Sequence, residues 1–316
     1  MRLAFFGTPE TAVPALDALL DAGHEIPLVV TRPDRAVGRG QRLAPTPVGL
    51  RAEARAIPTV RPDGVRTPEF RTLLRGAAPD VLVVVAYGRL LPPGVLEAAP
   101  AGAVNLHFSL LPAYRGAAPV QWCVANGETR SGVTTMRMNE RMDEGAILLQ
   151  EAVEIGAMEH APALAARLAS VGAGLLVETL RRLERGELVP VEQDPTQASL
   201  APLLTRADGW IDPALPARAI AGRIRGFDPW PGAWVRCRER RLRLAEGRAL
   251  EAVAPGVAPG TVLALGPAGL EIACGGATVV AVAALQAEGG RVLSARDAIN
   301  GRHIALGDRL ERLETA

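Results

Sequence analysis

MRLAFFGTPETAVPALDALLDAGHEIPLVV, Met1 to Val30, shows two different hydrophobic periods in quick succession. Leu3 to Phe6 is an unbroken apolar run, the pattern of a strand buried on both faces. After Gly7-Thr8-Pro9-Glu10, the apolar residues Val13, Leu16, Leu19 and Leu20 recur at helical spacing, and Ile26 to Val30 is a second apolar run. A strand, a helix and a strand in that order predict a parallel pair joined by a crossover helix. The alternation continues with Val81–Val85 (VLVVV) and Ala103 to Leu106, with helical stretches between several of the runs. The first half is therefore expected to be an α/β domain with a parallel, doubly wound sheet. The turn after the first strand is not GxGxxG, so a dinucleotide site is not supported.

The longest helical pattern, Ala161 to Arg185, ends at Gly186, a plausible C-terminal stop. Val189 to Leu203 has prolines, polar residues and no clear period, and reads as a linker. From about Arg206, short apolar runs separated by Gly and Pro (WVRCRERRLRLA, GTVLALGPAGLEIACGG, TVVAVAALQ) predict a small β-barrel or sandwich. At 316 residues the chain is long enough for about two domains. The expected organisation is an α/β domain over 1–188, a linker over 189–205 and a β-barrel domain over 206–316.

Composition narrows the function. With 48% hydrophobic residues, 22% charged and a net charge of +1, the chain reads as soluble and globular. All 35 basic residues are arginine, which excludes a Schiff-base lysine and a P-loop lysine. Cys123, Cys237 and Cys274 lie far apart, with no CxxC pair and no histidine at ligand spacing, so a reducing cytoplasm is expected and no metal site is. The four-residue apolar run near the N-terminus is too short for a signal peptide, and no unbroken apolar run approaches the ~20 residues of a membrane span.

Residues 1 to 205 hold 20 Arg against 22 acids, net −2, whereas 206 to 316 hold 15 Arg against 12 acids, net +3. On an alternating strand, Arg236, Arg238 and Arg240 would share one face opposite Val235 and Cys237. Such a stripe suits a phosphate backbone, or is an ordinary solvated strand face. The stretch Arg32 to Pro47 (RPDRAVGRGQRLAPTP) is long for a βα connection and carries Arg35, Arg39 and Arg42.

Chemistry concentrates in NLHFSLLPAYRG, Asn105 to Gly116. Asn105 and His107 are i and i+2, so on a strand they share a face, at the carboxyl end where open α/β sheets bind ligands. An amide N–H and an imidazole there could together meet a developing oxyanion; alternatively, the histidine is a hydrogen-bonded structural residue. After a strand-like Val133 to Met138, the loop Asn139 to Gly145 offers Asp143, either a turn residue or a carboxylate that would orient the imidazole and favour positive charge on it. Gly145 is expected to permit the turn.

Several segments occur in an order that resembles a known family: Phe5-Phe6-Gly7-Thr8-Pro9-Glu10, Pro33 to Gly40, Val84 to Gly88, Asn105-Leu106-His107 with Ser109-Leu110-Leu111-Pro112, Tyr114 to Pro119, Met142-Asp143-Glu144-Gly145 and Phe227-Asp228-Pro229-Trp230-Pro231-Gly232. They are similar to the methionyl-tRNA formyltransferase family of folate-dependent formyltransferases, over nearly the whole chain. The resemblance implies a Rossmann-like formyltransferase domain followed by a C-terminal OB-like β-barrel domain. It implies 10-formyltetrahydrofolate as formyl donor and cosubstrate, no metal, initiator methionyl-tRNA as acceptor, and a cytoplasmic monomer. The catalytic trio is implied at Asn105, His107 and Asp143. Folate contacts are implied at Ala86, Tyr87, Gly88, Ser109, Leu110, Leu111 and Pro112. tRNA contacts fall on Arg35, Arg39 and Arg42, with the stripe Arg236, Arg238 and Arg240 as the second basic surface. Phe108 departs from the family pattern, which has a small or polar residue there. Two alternatives stand beside this: a formyltransferase acting on a sugar-nucleotide amine, which shares the trio and the SLLP turn, and an RNA-binding protein that has lost catalysis.

Overall fold

The computed structural model describes residues 1–37 and 42–313. Contacts divide the chain into two units that interleave along the sequence: 1–119, 131–153 and 165–202 form one, and 120–130, 154–164 and the residues from Leu203 onward form the other.

In the first unit the strands are β1 (Arg2–Gly7), β2 (Glu25–Val30), a two-stranded hairpin β3 (Arg35–Val37) and β4 (Arg42–Ala44), β5 (Thr59–Val60), β6 (Val81–Val85), β7 (Ala103–His107), β8 (Arg130–Arg137) and β9 (Ile147–Glu154). Helices α1 (Val13–Asp21), α2 (Pro47–Ala54), α3 (Pro68–Gly76) and α4 (Pro93–Leu96) lie between them; α5 (Pro119–Ala125) belongs to the second unit except for its first residue, and α6 (Ala161–Glu184) belongs to the first from Ala165 onward. The large sheet has the order β5-β2-β1-β6-β7-β8-β9. Neighbours from β5 through β7 are parallel, and β8 turns antiparallel to β7. The parallel sheet expected from the sequence is thus a mixed one. The connection 108–129 between β7 and β8 includes α5 and is long enough for a crossover, so its length does not dictate the direction; the pairing of β7 with β8 shows it to be antiparallel.

Strand order reverses between β1 and β6, where an open α/β sheet leaves a crevice at its carboxyl edge. Thr8, just past β1, donates its hydroxyl to the Tyr87 carbonyl just past β6 at 3.1 Å and ties the two lips of the crevice together. Tyr87 is buried with its ring edge-on to Phe6, 5.4 Å between centroids, inside the core that also holds Val84, Phe70 and Leu74. Helix α6 is long and apolar enough to cross a membrane by length and composition. Its Leu164, Leu168, Leu176 and Leu180 are fully buried within the protein, and Gly172 sits where a Cβ would press on Leu106 of β7. That is the packing of a core helix.

Residues 189–203, expected as a linker, run as a hydrogen-bonded strap. Val191 exchanges both backbone bonds with Ile147, and Ser199 and Ala201 bond the backbone of Arg115 on either side. The absence of periodicity has a physical reason: the strap pairs through isolated bridges, so its side chains follow no repeating face.

In the second unit, α7 (Ala217–Gly226) precedes β10 (Ala233–Cys237), β11 (Arg240–Val253), β12 (Val262–Gly266), β13 (Gly269–Ala273), β14 (Thr278–Ala287), β15 (Val292–Ser294), α8 (Ala295–Asn300) and β16 (Leu310–Glu311). The antiparallel sheet has the order β12-β13-β14-β11-β10-β16, and a bridge between Thr261 and Arg309 links its two ends. Gly247 of β11 leaves room for Ile224 of α7, which closes one side of this core.

Candidate active site

Asn105 and His107 leave β7 on one face, at the end next to the crevice, and both are buried. A cavity of about 470 Å³ opens over them. Its wall includes Pro9, Ala86, Tyr87, Gly88, Asn105, His107, Phe108, Met136, Met138, Met142 and Asp143, all in the first unit. The size suits a small organic ligand. Among the described residues the Asn105 amide has no protein partner, so its N–H donors are available to whatever occupies the cavity.

The loop after the SLLP turn explains the composition of PAYRG. His107 Nε2 lies 3.0 Å from the Tyr114 carbonyl, which can only accept, so Nε2 carries the proton of that bond. Two residues on, the Gly116 N–H donates to Asp143 Oδ2 at 2.9 Å. One tripeptide therefore fixes the imidazole through a carbonyl and the carboxylate through an amide. Gly116 has φ +127°, and a Cβ there would come within 2.5 Å of the Ala201 carbonyl, so glycine is required twice over.

His107 Nδ1 faces Asp143 Oδ2 at 3.7 Å, too far for a direct hydrogen bond. Nε2 is engaged by the backbone, and Nδ1 is the ring nitrogen that faces Asp143. Asp143 itself sits at φ +54°, in the left-handed region that aspartate tolerates better than most residues. Gly145 is needed for a reason other than turning. Its φ is not positive, but a Cβ there would strike the Arg137 carbonyl at the end of β8.

Of the expected folate residues, Ala86, Tyr87 and Gly88 line the cavity, with Ala86 and Gly88 both at positive φ. Ser109, Leu110, Leu111 and Pro112 are not on its wall; Phe108 is. The turn stands behind Phe108, where the buried Thr134 hydroxyl donates to Ser109 O at 2.6 Å and accepts from Leu111 N at 3.1 Å. Burial raises the Tyr87 phenol above its usual value, against the pull of Arg89 and Arg32. Burial also lowers the Arg32 guanidinium, as do the adjacent Arg35 and Arg89. Arg32 and Arg89 thus lie beside the Ala86–Gly88 turn, with Arg35 acting on Arg32, and of the three the sequence singled out only Arg35.

The tRNA candidates separate. Arg35 is exposed at the start of β3, and Arg42 begins β4 opposite Val37, whereas Arg39 lies outside the described residues. Arg236, Arg238 and Arg240 do not share a strand face. The run folds as a hairpin in which Arg236 is on β10, Arg238 is in the turn at φ +56°, and Arg240 opens β11 opposite Cys237. Polar ends on both strands of a tight hairpin mimic one long alternating strand, which is why the sequence misled. Arg236 pairs with Glu311 and Arg238 with Asp308 at 2.5 and 2.7 Å, so this basic run is largely compensated. Nearby, Asp228 of the FDPWPG segment is held by His160 at 3.1 Å and by Arg243. Among the described residues no group of three His, Cys, Asp or Glu is placed to hold a metal ion.

Comparison with known proteins agrees with this architecture. Residues 1–180 match the formyl transferase family and residues 203–303 match its C-terminal domain. A methionyl-tRNA formyltransferase of Anaeromyxobacter dehalogenans (strain 2CP-1) is 49% identical over 302 residues, 95% of this chain and 97% of that protein. One of Solibacter usitatus is 46% identical over 98% of each chain. Among solved structures, an N-formyltransferase of Helicobacter canadensis in complex with folinic acid and dTDP-3-aminofucose shares the fold with a TM-score of 0.66 at 17% identity, covering 89% of this chain and 97% of that one. With both of its segments matched and relatives of this identity aligned almost end to end, the chain belongs to the formyl transferase family.

Proposed function

We propose that this protein transfers the formyl group of 10-formyltetrahydrofolate to the free α-amino group of initiator methionyl-tRNA, giving N-formylmethionyl-tRNA in the cytoplasm. The observation that carries the chemistry is the cavity floor: an unpartnered Asn105 amide beside His107 Nδ1, with Asp143 next to it. The printed names of the relatives support the acceptor.

An α-amino group has a reference pKa near ~8, so a useful neutral fraction exists at physiological pH and deprotonation is not the main demand. Attack of the amine nitrogen on the formyl carbon converts its carbonyl into a tetrahedral oxyanion. The Asn105 N–H and a proton on His107 Nδ1 are the donors for that charge, and they act in a cavity that is mostly apolar. Asp143, on the same side of the ring, compensates an imidazolium and receives the proton that the amine must lose. Collapse of the oxyanion re-forms the carbonyl and breaks the bond between the formyl carbon and N10 of the folate, and N10 takes up that proton as tetrahydrofolate leaves. The scheme requires neither a metal nor a covalent enzyme intermediate. Ala86–Gly88 supplies backbone for the pterin, with the Ser109–Pro112 turn closing the site behind Phe108. Arg32 and Arg89 complement the carboxylates of the folate tail.

For the tRNA we assign Arg35, Arg39 and Arg42 to the acceptor end, with Arg236, Arg238 and Arg240 as a second contact. Exposed ion pairs such as Arg236–Glu311 are worth only ~0.2–1 kcal/mol, so a phosphate can replace the carboxylate at little cost. Arg42→Ala is expected to raise the KM for methionyl-tRNA about tenfold while leaving that for the folate within about twofold, with a shallower salt dependence; equal loss on both substrates counts against the assignment. The decisive assay offers initiator methionyl-tRNA, elongator methionyl-tRNA and a UDP-aminosugar as competing acceptors. Formylation of the sugar alone would move the protein to the sugar-nucleotide branch, and no transfer to any acceptor would leave only a binding protein.

A further inference from the structure

We propose that Gln193, on the strap that follows α6, is a positioning residue that sets the spacing between His107 and Asp143; this deepens the formyl-transfer reading and rests on it for its kinetic consequence. The Gln193 side-chain N–H groups donate to Asp143 O at 2.8 Å and to Gly145 O at 2.7 Å. Its Oε1 accepts from Arg115 Nε at 3.0 Å and Nη2 at 2.8 Å. All of the amide's principal hydrogen-bonding capacity is used, and the opposite amide orientation would set oxygen against two carbonyls and nitrogen against a guanidinium.

Each partner belongs to one half of the site. Arg115 is flanked by Tyr114, whose carbonyl holds His107 Nε2, and by Gly116, whose N–H holds the Asp143 carboxylate. Asp143 O and Gly145 O lie on the loop that carries the carboxylate itself. Gln193 therefore bonds the imidazole-bearing loop to the carboxylate-bearing loop from behind. Val191, two residues earlier, is fixed to Ile147 by paired backbone bonds of 2.9 and 2.8 Å, so the clamp has a rigid base. Arg115 is 8% exposed, and its Nη1 is also 3.6 Å from Glu144 Oε1, so the guanidinium is not free to follow solvent if the clamp opens. The left-handed backbone at Asp143 needs such support, because a strained position relaxes when its restraints are removed. Displacement on the order of 1 Å at a reacting centre can cost about a hundredfold in rate.

Two variants separate the bonds. Gln193→Glu keeps an acceptor for Arg115 but presents oxygen to the two loop carbonyls, and Gln193→Met keeps the volume with no hydrogen bonds. Both are expected to lower kcat by about 10- to 100-fold with the KM for the folate donor within about threefold of the parent. In the full-length protein, long-range 1H–15N spectra report the chemical shifts and hydrogen bonding of the His107 ring nitrogens at one fixed pH. The chain has only four histidines, so His107 is assigned by its loss in His107→Asn. Its ring-nitrogen signals are expected to move in both variants, while thermal unfolding stays close to the parent. Gln193→Glu with parental turnover and parental His107 signals overturns the proposal, since Arg115 pairing alone would then suffice. So does a loss of turnover that merely tracks the folded fraction while the His107 signals of the folded protein are unchanged. A parent that formylates no acceptor defeats the function proposed above, yet the ring-nitrogen comparison still decides the role of Gln193.

Discussion

His107→Ala lowers single-turnover formyl transfer by an expected ~10²–10³-fold, the range found when one preorganised donor is taken from an oxyanion site. The substitution removes the Nδ1 group facing Asp143 and the partner of the Tyr114 carbonyl together. Losing that second bond costs about 0.5–1.5 kcal/mol of stability. Thermal unfolding measured beside the kinetics separates the two effects. A folded variant with unchanged turnover would show that Asn105 alone meets the oxyanion.

Gly145→Ala is expected to be as damaging without touching any reacting atom. The added methyl would overlap the Arg137 carbonyl, which is backbone at the end of β8 and cannot swing aside as a flexible side chain could. The loop must move instead, and it carries Asp143, so turnover is expected to fall at least ~10²-fold and stability by about 2–3 kcal/mol. Gly174→Ala is the control. Gly174 is exposed on α6 with nothing near its absent Cβ, so alanine is expected to leave activity unchanged and to add about 0.4–1 kcal/mol. Urea unfolding and single-turnover assays on both variants check the contrast; an active, stable Gly145→Ala would mean that the loop has slack that the packing does not show.

These sites differ in how far the sequence exposed them. The strand end with Asn105 and His107 was legible because its signal is local: a period of two, a run of buried residues and a break. The same logic gave β1, β2, β6 and the span of α6 to within a residue or so. It failed at Arg236 to Arg240, where a hairpin turn at Arg238 falls inside what reads as continuous alternation. It also failed for residues 189–203, whose bonds are isolated bridges to distant segments. Gln193 was invisible for that reason: its partners lie 48 to 78 positions earlier in the chain.

By itself the sequence determined that an α/β unit precedes a β-rich one, and that an amide and an imidazole share one face at a strand end, because hydrophobic period and side-chain alternation depend only on neighbouring residues. Tertiary structure alone decided which imidazole nitrogen the backbone engages, why Gly145 must be glycine, and that an apparent linker is hydrogen-bonded to the loops that carry Arg115 and Asp143. Each of those depends on where a backbone carbonyl or amide from a remote segment points, a direction fixed by packing and carried by no local pattern.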